Sequence, residues 1–98
     1  MPKLYKYLGI IIFIPSNDHD PIHVHAKCDD AVVAVYLYVK DGVVQTVRYQ
    51  EKKGKFSAAK MRDLKVFVST HKNALLFAYN QHQQGIKLKT TEITKRIK

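Results

Sequence analysis

Asp41-Gly42 restricts the fold of this chain more than any other pair of residues. It separates two runs rich in β-branched and aromatic residues, Ala31 to Lys40 and Val43 to Tyr49. A type I′ turn needs positive φ at both central residues, which Asp-Gly tolerates, so the two runs are predicted to be the arms of one antiparallel hairpin. A plain two-residue turn sets Tyr36 opposite Val47 and Leu37 opposite Thr46, making one face of the hairpin more apolar than the other. That pattern belongs to a sheet covered on one side.

The flanking stretches extend the sheet. Leu4 to Leu8, Gly9, and Ile10 to Ile14 read as one strand, bent or bulged at the glycine and ended by Pro15, with its isoleucine-rich half buried on both faces. Ile22 to Lys27 reads as a further strand, and Cys28-Asp29-Asp30 as a tight turn into Ala31. Gln50 to Lys55 is charged, contains Gly54 and reads as the one sizeable exposed connection. Beyond it, Ser57 is a candidate N-cap and Phe56 a hydrophobic staple onto Met61. Met61, Leu64, Phe67, Val68, His71, Leu75, Ala78, Tyr79 and His82 then recur with a period near 3.6, and Gly85 supplies a stop. Ser69 to Asn73 is poor in helix formers and offers a second cap at Thr70, so the periodic stretch is read as two helices in preference to one. Ile86 to Lys98 alternates among lysines and threonines as an edge strand would.

Together these elements predict an α+β architecture: a small, mostly antiparallel sheet of five to six strands, with one or two C-terminal helices packed on one face. A chain of 98 residues suits a single domain, 1–98. Cys28 is the only cysteine, which rules out an internal disulfide and suits a reducing cytoplasm. The longest apolar run, Leu8 to Ile14, is too short to span a bilayer, and residues 1–14 lack a signal-peptide cleavage pattern. A cytoplasmic protein without a membrane partner is expected.

Chemistry concentrates in Ser16-Asn17-Asp18-His19-Asp20-Pro21-Ile22-His23-Val24-His25, which holds three of the five histidines. Ser, Asn, Asp and Pro make residues 16–21 a loop, fixed by Asn17 and Asp18 bonding local backbone and by Pro21. Strand alternation then places His23 and His25 on one face, with Ile22, Val24 and Ala26 on the other. Metal-free cleavage of a phosphodiester needs a base, an acid and cations for the developing charge. Asp18, His19, His23 and His25 are the candidate catalytic groups, with Asp18 orienting an imidazole; Asn17, Lys27, Arg48 and Lys72 are candidates for holding substrate.

Two other readings compete at this segment. Each histidine can pack over the helices with one ring nitrogen on a carbonyl, and His-x-His with His19 or a carboxylate can assemble a metal site, although no third ligand stands at a diagnostic spacing. The metal question stays open, and no cofactor is expected. His71 and His82 fall on the apolar helical stripe and read as partly buried core residues. The six tyrosines are read as sheet-face packing before base stacking.

Seventeen Lys and Arg against eight Asp and Glu give a formal charge of +9, which selects acidic partners. RNA or another polyanion fits, and so does an acidic protein.

The opening MPKLYKYLGI, the SNDHDPIHVH core, the Asp-Gly hairpin and the closing ITKRI resemble a small bacterial family catalogued as domain of unknown function 4160. The resemblance is most specific at the histidine segment, where many relatives carry prolines in place of Asp20 and Ile22. It implies a second small protein encoded next door, an arrangement similar to a toxin–antitoxin pair. Two function classes follow. One is a toxin-like protein, with RNase chemistry at the histidines; the other is a non-catalytic binding module for nucleic acid or an acidic partner, with the histidine loop structural or metal-binding. Whether the chain is an enzyme is undecided by sequence, as is its oligomeric state.

Overall fold

The computed structural model describes residues 2–15 and 21–97. Five antiparallel strands follow one another as a meander: β1 (Lys3–Tyr7), β2 (Ile10–Phe13), β3 (His23–Cys28), β4 (Ala31–Lys40) and β5 (Val43–Lys53). A single helix, α1 (Ala58–Gln83), then crosses one face, and β6 (Thr91–Ile93) returns parallel to β1. The sheet order is β5-β4-β3-β2-β1-β6, so β3 lies inside the sheet. This is the expected α+β architecture, with six strands and one C-terminal helix.

Gly9 is a turn and not a bulge. Leu8 (φ 49°) and Gly9 (φ 83°) are both left-handed, so the segment read as one bent strand is a hairpin with Tyr7 opposite Ile10. Lys60 of α1 donates its Nζ to the Leu8 carbonyl and so ties the turn to the helix. Hairpin pairing leaves one side of β2 facing the helix, and burial alternates: Ile10, Ile12 and Ile14 are buried, while Ile11 and Phe13 are only partly so. The expectation of burial on both faces is therefore corrected.

The Asp41-Gly42 turn forms as predicted, with φ 56° and 81°. Its register shifts, because a bulge between Tyr38 and Val39 inserts one residue, pairing Tyr36 with Arg48 and Leu37 with Val47. Counting outward from the turn misses this by one. β5 also runs four residues past Tyr49 to Lys53, since β4 is long enough to pair with it, and the exposed connection shrinks to the residues around Gly54.

α1 starts at Ser57, whose hydroxyl accepts from the Lys60 amide at 3.1 Å. It does not break near Thr70. The Thr70 hydroxyl donates to the Val66 carbonyl at 3.0 Å, so that side chain is spent inside the helix and caps nothing. The helix ends in a Schellman pair, Gly85 N–H to His82 O and Ile86 N–H to Gln81 O, both 3.0 Å. Its inner stripe of Leu64, Phe67, Val68, Leu75, Leu76 and Tyr79 packs on the sheet residues Ile12, Val24, Ala26, Val33, Val35 and Leu37. Each of the Val, Leu, Ile and Phe side chains contributes about 1.5–3 kcal/mol through burial. Asn73 Oδ1 accepts from the Val44 amide at 2.9 Å, pinning the helix to the start of β5.

The tail forms only a three-residue strand, shorter than the alternation suggested. Side chains complete its attachment: Arg96 pairs with buried Asp63, and the Tyr7 hydroxyl accepts from the Ile97 amide at 3.0 Å.

Candidate functional site on the helix-free sheet face

Because Val24 and Ala26 are buried under α1, alternation turns His23, His25 and Lys27 to the opposite face. The register of the sheet then builds a row around them. His25 lies between Phe13 of β2 and Ala34 of β4, and His23 lies opposite Tyr36, which in turn lies opposite Arg48 of β5. Ala34 faces Gln50, and Lys27 sits between Ile11 and Val32.

The rings touch. His23 stacks on Tyr36 with centroids 5.1 Å apart at 28°, His23 and His25 are 5.4 Å apart at 48°, and Phe13 meets His25 edge-on at 5.5 Å. The Tyr36 hydroxyl donates to Gln50 Oε1 at 3.0 Å, which fixes the ring beneath His23. Arg48 places its guanidinium 5.9 Å from the centre of the Tyr38 ring.

His23 is 9% exposed, and its Nδ1 lies 2.9 Å from the Pro21 carbonyl. A carbonyl only accepts, so Nδ1 carries hydrogen and the neutral ring has its lone pair at Nε2. The alternative of a histidine bonded to a carbonyl thus holds for His23 in that one respect, but the ring packs away from the helix. His25 is half-buried. Burial first, then the neighbouring His23 and Lys52, hold its pKa below the ordinary histidine value.

This depression makes folding pH-dependent. His25 binds a proton less readily folded than unfolded, so its contribution is complete above the unfolded pKa and is lost as pH falls below it. The groups facing it are His23 and Lys27 on its own strand, uncharged Phe13 and Ala34 on the neighbours, and Lys52 from β5. Thermal melts between pH 7 and pH 5 are expected to show an acid-side loss of stability that shrinks in His25→Gln. An unchanged acid slope in that variant would contradict the assignment.

Of the residues singled out from sequence, the structure brings together His23, His25, Lys27 and Arg48. Lys72 does not join them: it stands on α1, and the sheet separates it from the histidines. Asn17, Asp18 and His19, with the loop contacts expected of Asn17 and Asp18, lie outside the described residues. Phe13, Tyr36, Gln50 and Lys52 were missed as neighbours of the histidines. A signal for Tyr36 was present: counting outward from the Asp29-Asp30 turn, with Cys28 opposite Ala31, puts His23 against Tyr36 and His25 against Ala34.

Among the described residues no group of three or more His, Cys, Asp or Glu side chains is placed to hold a metal ion; His23 and His25 offer two donors. Of the other histidines, His71 stacks on Phe67 at 4.5 Å and 12°, as its place on the helical stripe suggested, and His82 is partly buried near the helix end. No helix among the described residues is long and apolar enough to cross a membrane.

These features define a small α+β domain that keeps one sheet face for its helix and carries basic, aromatic and imidazole side chains on the other. Residues 9–80 match the family described as Domain of unknown function (DUF4160), and the chain belongs to that family. The match takes in β2 to β5 and most of α1, leaving out β1 and the tail. No curated protein and no solved structure matches the chain.

Proposed function

We propose that this protein binds single-stranded RNA on the helix-free face of its sheet, and acts on it inside the cell as the toxin-like member of a two-gene module. One observation carries the reading: across β2 to β5 this face presents Phe13, His25, His23, Tyr36 and Tyr38 with Lys27 and Arg48, and no carboxylate. Glu51, the one acid in these strands, pairs with Val33 and faces the helix side. Aromatic rings on a sheet accept unstacked bases, and cations track the phosphates between them. A duplex, with its bases stacked inward, gains nothing from the rings.

The test is a titration of a fluorescent single-stranded RNA with the protein and with Arg48→Gln. The variant is expected to weaken binding for all sequences alike and to lower the salt slope by about 0.7, one phosphate's share for a single strand. Equal affinity for single and double strands, or an Arg48→Gln variant that binds like the parent, would count against this face.

A second reading is an acidic partner protein, encoded by the neighbouring gene. It is favoured by charge that is not confined to the aromatic face: Lys55 and Lys65 stand on the helix side, beside Tyr49 and Phe56. Binding of the neighbouring product that persists while RNA is bound would place it there.

A further inference from the structure

The two imidazoles differ in their surroundings in a way that simple packing does not require. His23 donates its Nδ1 hydrogen to the Pro21 carbonyl and lies over the electron-rich face of Tyr36, two contacts that suit an imidazolium. Among the described residues His25 has neither contact. It meets Phe13 at a steep angle and stands near His23 and Lys52, both of which oppose a proton on it. Like charges 5.4 Å apart disfavour a proton on both rings at once, and the contacts give the rings different roles, His23 as proton donor and His25 as proton acceptor. That is an acid beside a base.

We propose that His23 and His25 are an acid–base pair that cleaves single-stranded RNA by transesterification at the ribose 2′-hydroxyl, an inference that rests on the RNA-binding reading of this face. His25 takes the 2′-hydroxyl proton as the 2′-oxygen attacks phosphorus. The bond from phosphorus to the 5′-oxygen breaks, and that oxygen receives the His23 Nε2 proton. The products are a 2′,3′-cyclic phosphate and a free 5′-hydroxyl; the proton lost by His23 equals the proton gained by His25, and no further reactant is consumed. Each nitrogen needs to come within about 2.6–3.2 Å of its oxygen, a reach that two rings at this separation share over one phosphodiester. Lys27, two residues along from His25 on the same face, and Arg48, in the His23–Tyr36 row, are the cations available to the phosphate oxygens. The substrate class follows from the nucleophile. DNA and 2′-O-methyl RNA lack it and bind without being cut.

The experiment uses a labelled oligouridine and its 2′-O-methyl counterpart in buffer containing EDTA, with the full chain and with His25→Gln and His23→Asn. The asparagine can still donate to the Pro21 carbonyl, and His25→Gln, at a half-buried position, keeps the test open if the His23 variant fails to fold. Expected is cleavage by the parent to cyclic-phosphate ends, reduced roughly 10²- to 10⁴-fold in each folded variant, with binding of the 2′-O-methyl strand retained. A parent that binds the 2′-O-methyl strand but leaves oligouridine intact overturns this inference and leaves the binding reading standing. Failure to bind the 2′-O-methyl strand overturns both. Cleavage that survives in His25→Gln, or that appears only with added divalent metal, overturns the assignment of the pair.

Discussion

Replacing Phe67 by alanine should cost the domain about 3–5 kcal/mol of folding stability, a large part of the 5–15 kcal/mol typical of small domains. Phe67 is completely buried and is where α1 packs against β1. Its ring meets Tyr5 edge-on at 5.1 Å, lies 5.2 Å from Tyr7, and is stacked by His71 at 4.5 Å. Truncation opens a void that neither tyrosine can fill without leaving its strand position, and the cavity term adds to the lost transfer energy. Phe77 on the same helix is 64% exposed, and Phe77→Ala should stay within about 0.5 kcal/mol. Urea melts of the pair check this. A Phe67→Ala midpoint close to that of Phe77→Ala would show that the helix is held elsewhere.

Local chemistry made some elements legible in the sequence. Asp41-Gly42, Ser57 and Gly85 act through their own backbone or hydroxyl, and each sits where composition placed it. The misreadings lie where a distant partner decides. Leu8 adopts positive φ next to Gly9, and the Lys60 ammonium that secures its carbonyl comes from 52 residues away, so the hairpin between β1 and β2 leaves little local trace. Thr70 looked like a helix start because its side chain can bond backbone either way; buried neighbours Phe67, Val68 and Leu75 keep the helix whole, and the hydroxyl turns back to Val66. The bulge after Tyr38 is likewise invisible to a count from the turn, yet it is what sets Arg48 in the row of His23 and Tyr36.

The candidate site follows the same division. That His23 and His25 share a face is a property of one strand, and period two is enough to see it. Which face, and with which neighbours, depends on where α1 lands. Val24 and Ala26 go under the helix, and the histidines are left with the rings of β2 and β4. Lys72 was grouped with them on charge alone. Charge carries no direction in sequence, and the helix that bears Lys72 lies across the sheet from the pair.

RNA binding to this face should collapse with salt. If four to six phosphates are neutralised, log affinity for a single strand falls with log salt at a slope of about −0.7 per phosphate, so raising salt from 50 to 200 mM should weaken binding roughly 50- to 300-fold. Lys27, Arg48 and Lys52 stand nearest the histidine row, and Lys3 and Lys6 of β1 are exposed cations near the other edge. The aromatic part of the interaction is comparatively insensitive to salt, since stacking is worth about 1–3 kcal/mol per base whatever the ionic strength, and it sets a floor beneath the electrostatic loss. Fluorescence anisotropy at several salt concentrations separates the two parts: the slope counts phosphates, and the affinity extrapolated to high salt reports the rings. An acidic protein seated by buried contacts behaves otherwise, its association slowed by salt while its dissociation rate barely changes. A slope near zero with intact affinity would mean that the +9 charge serves solubility and takes no part in recognition.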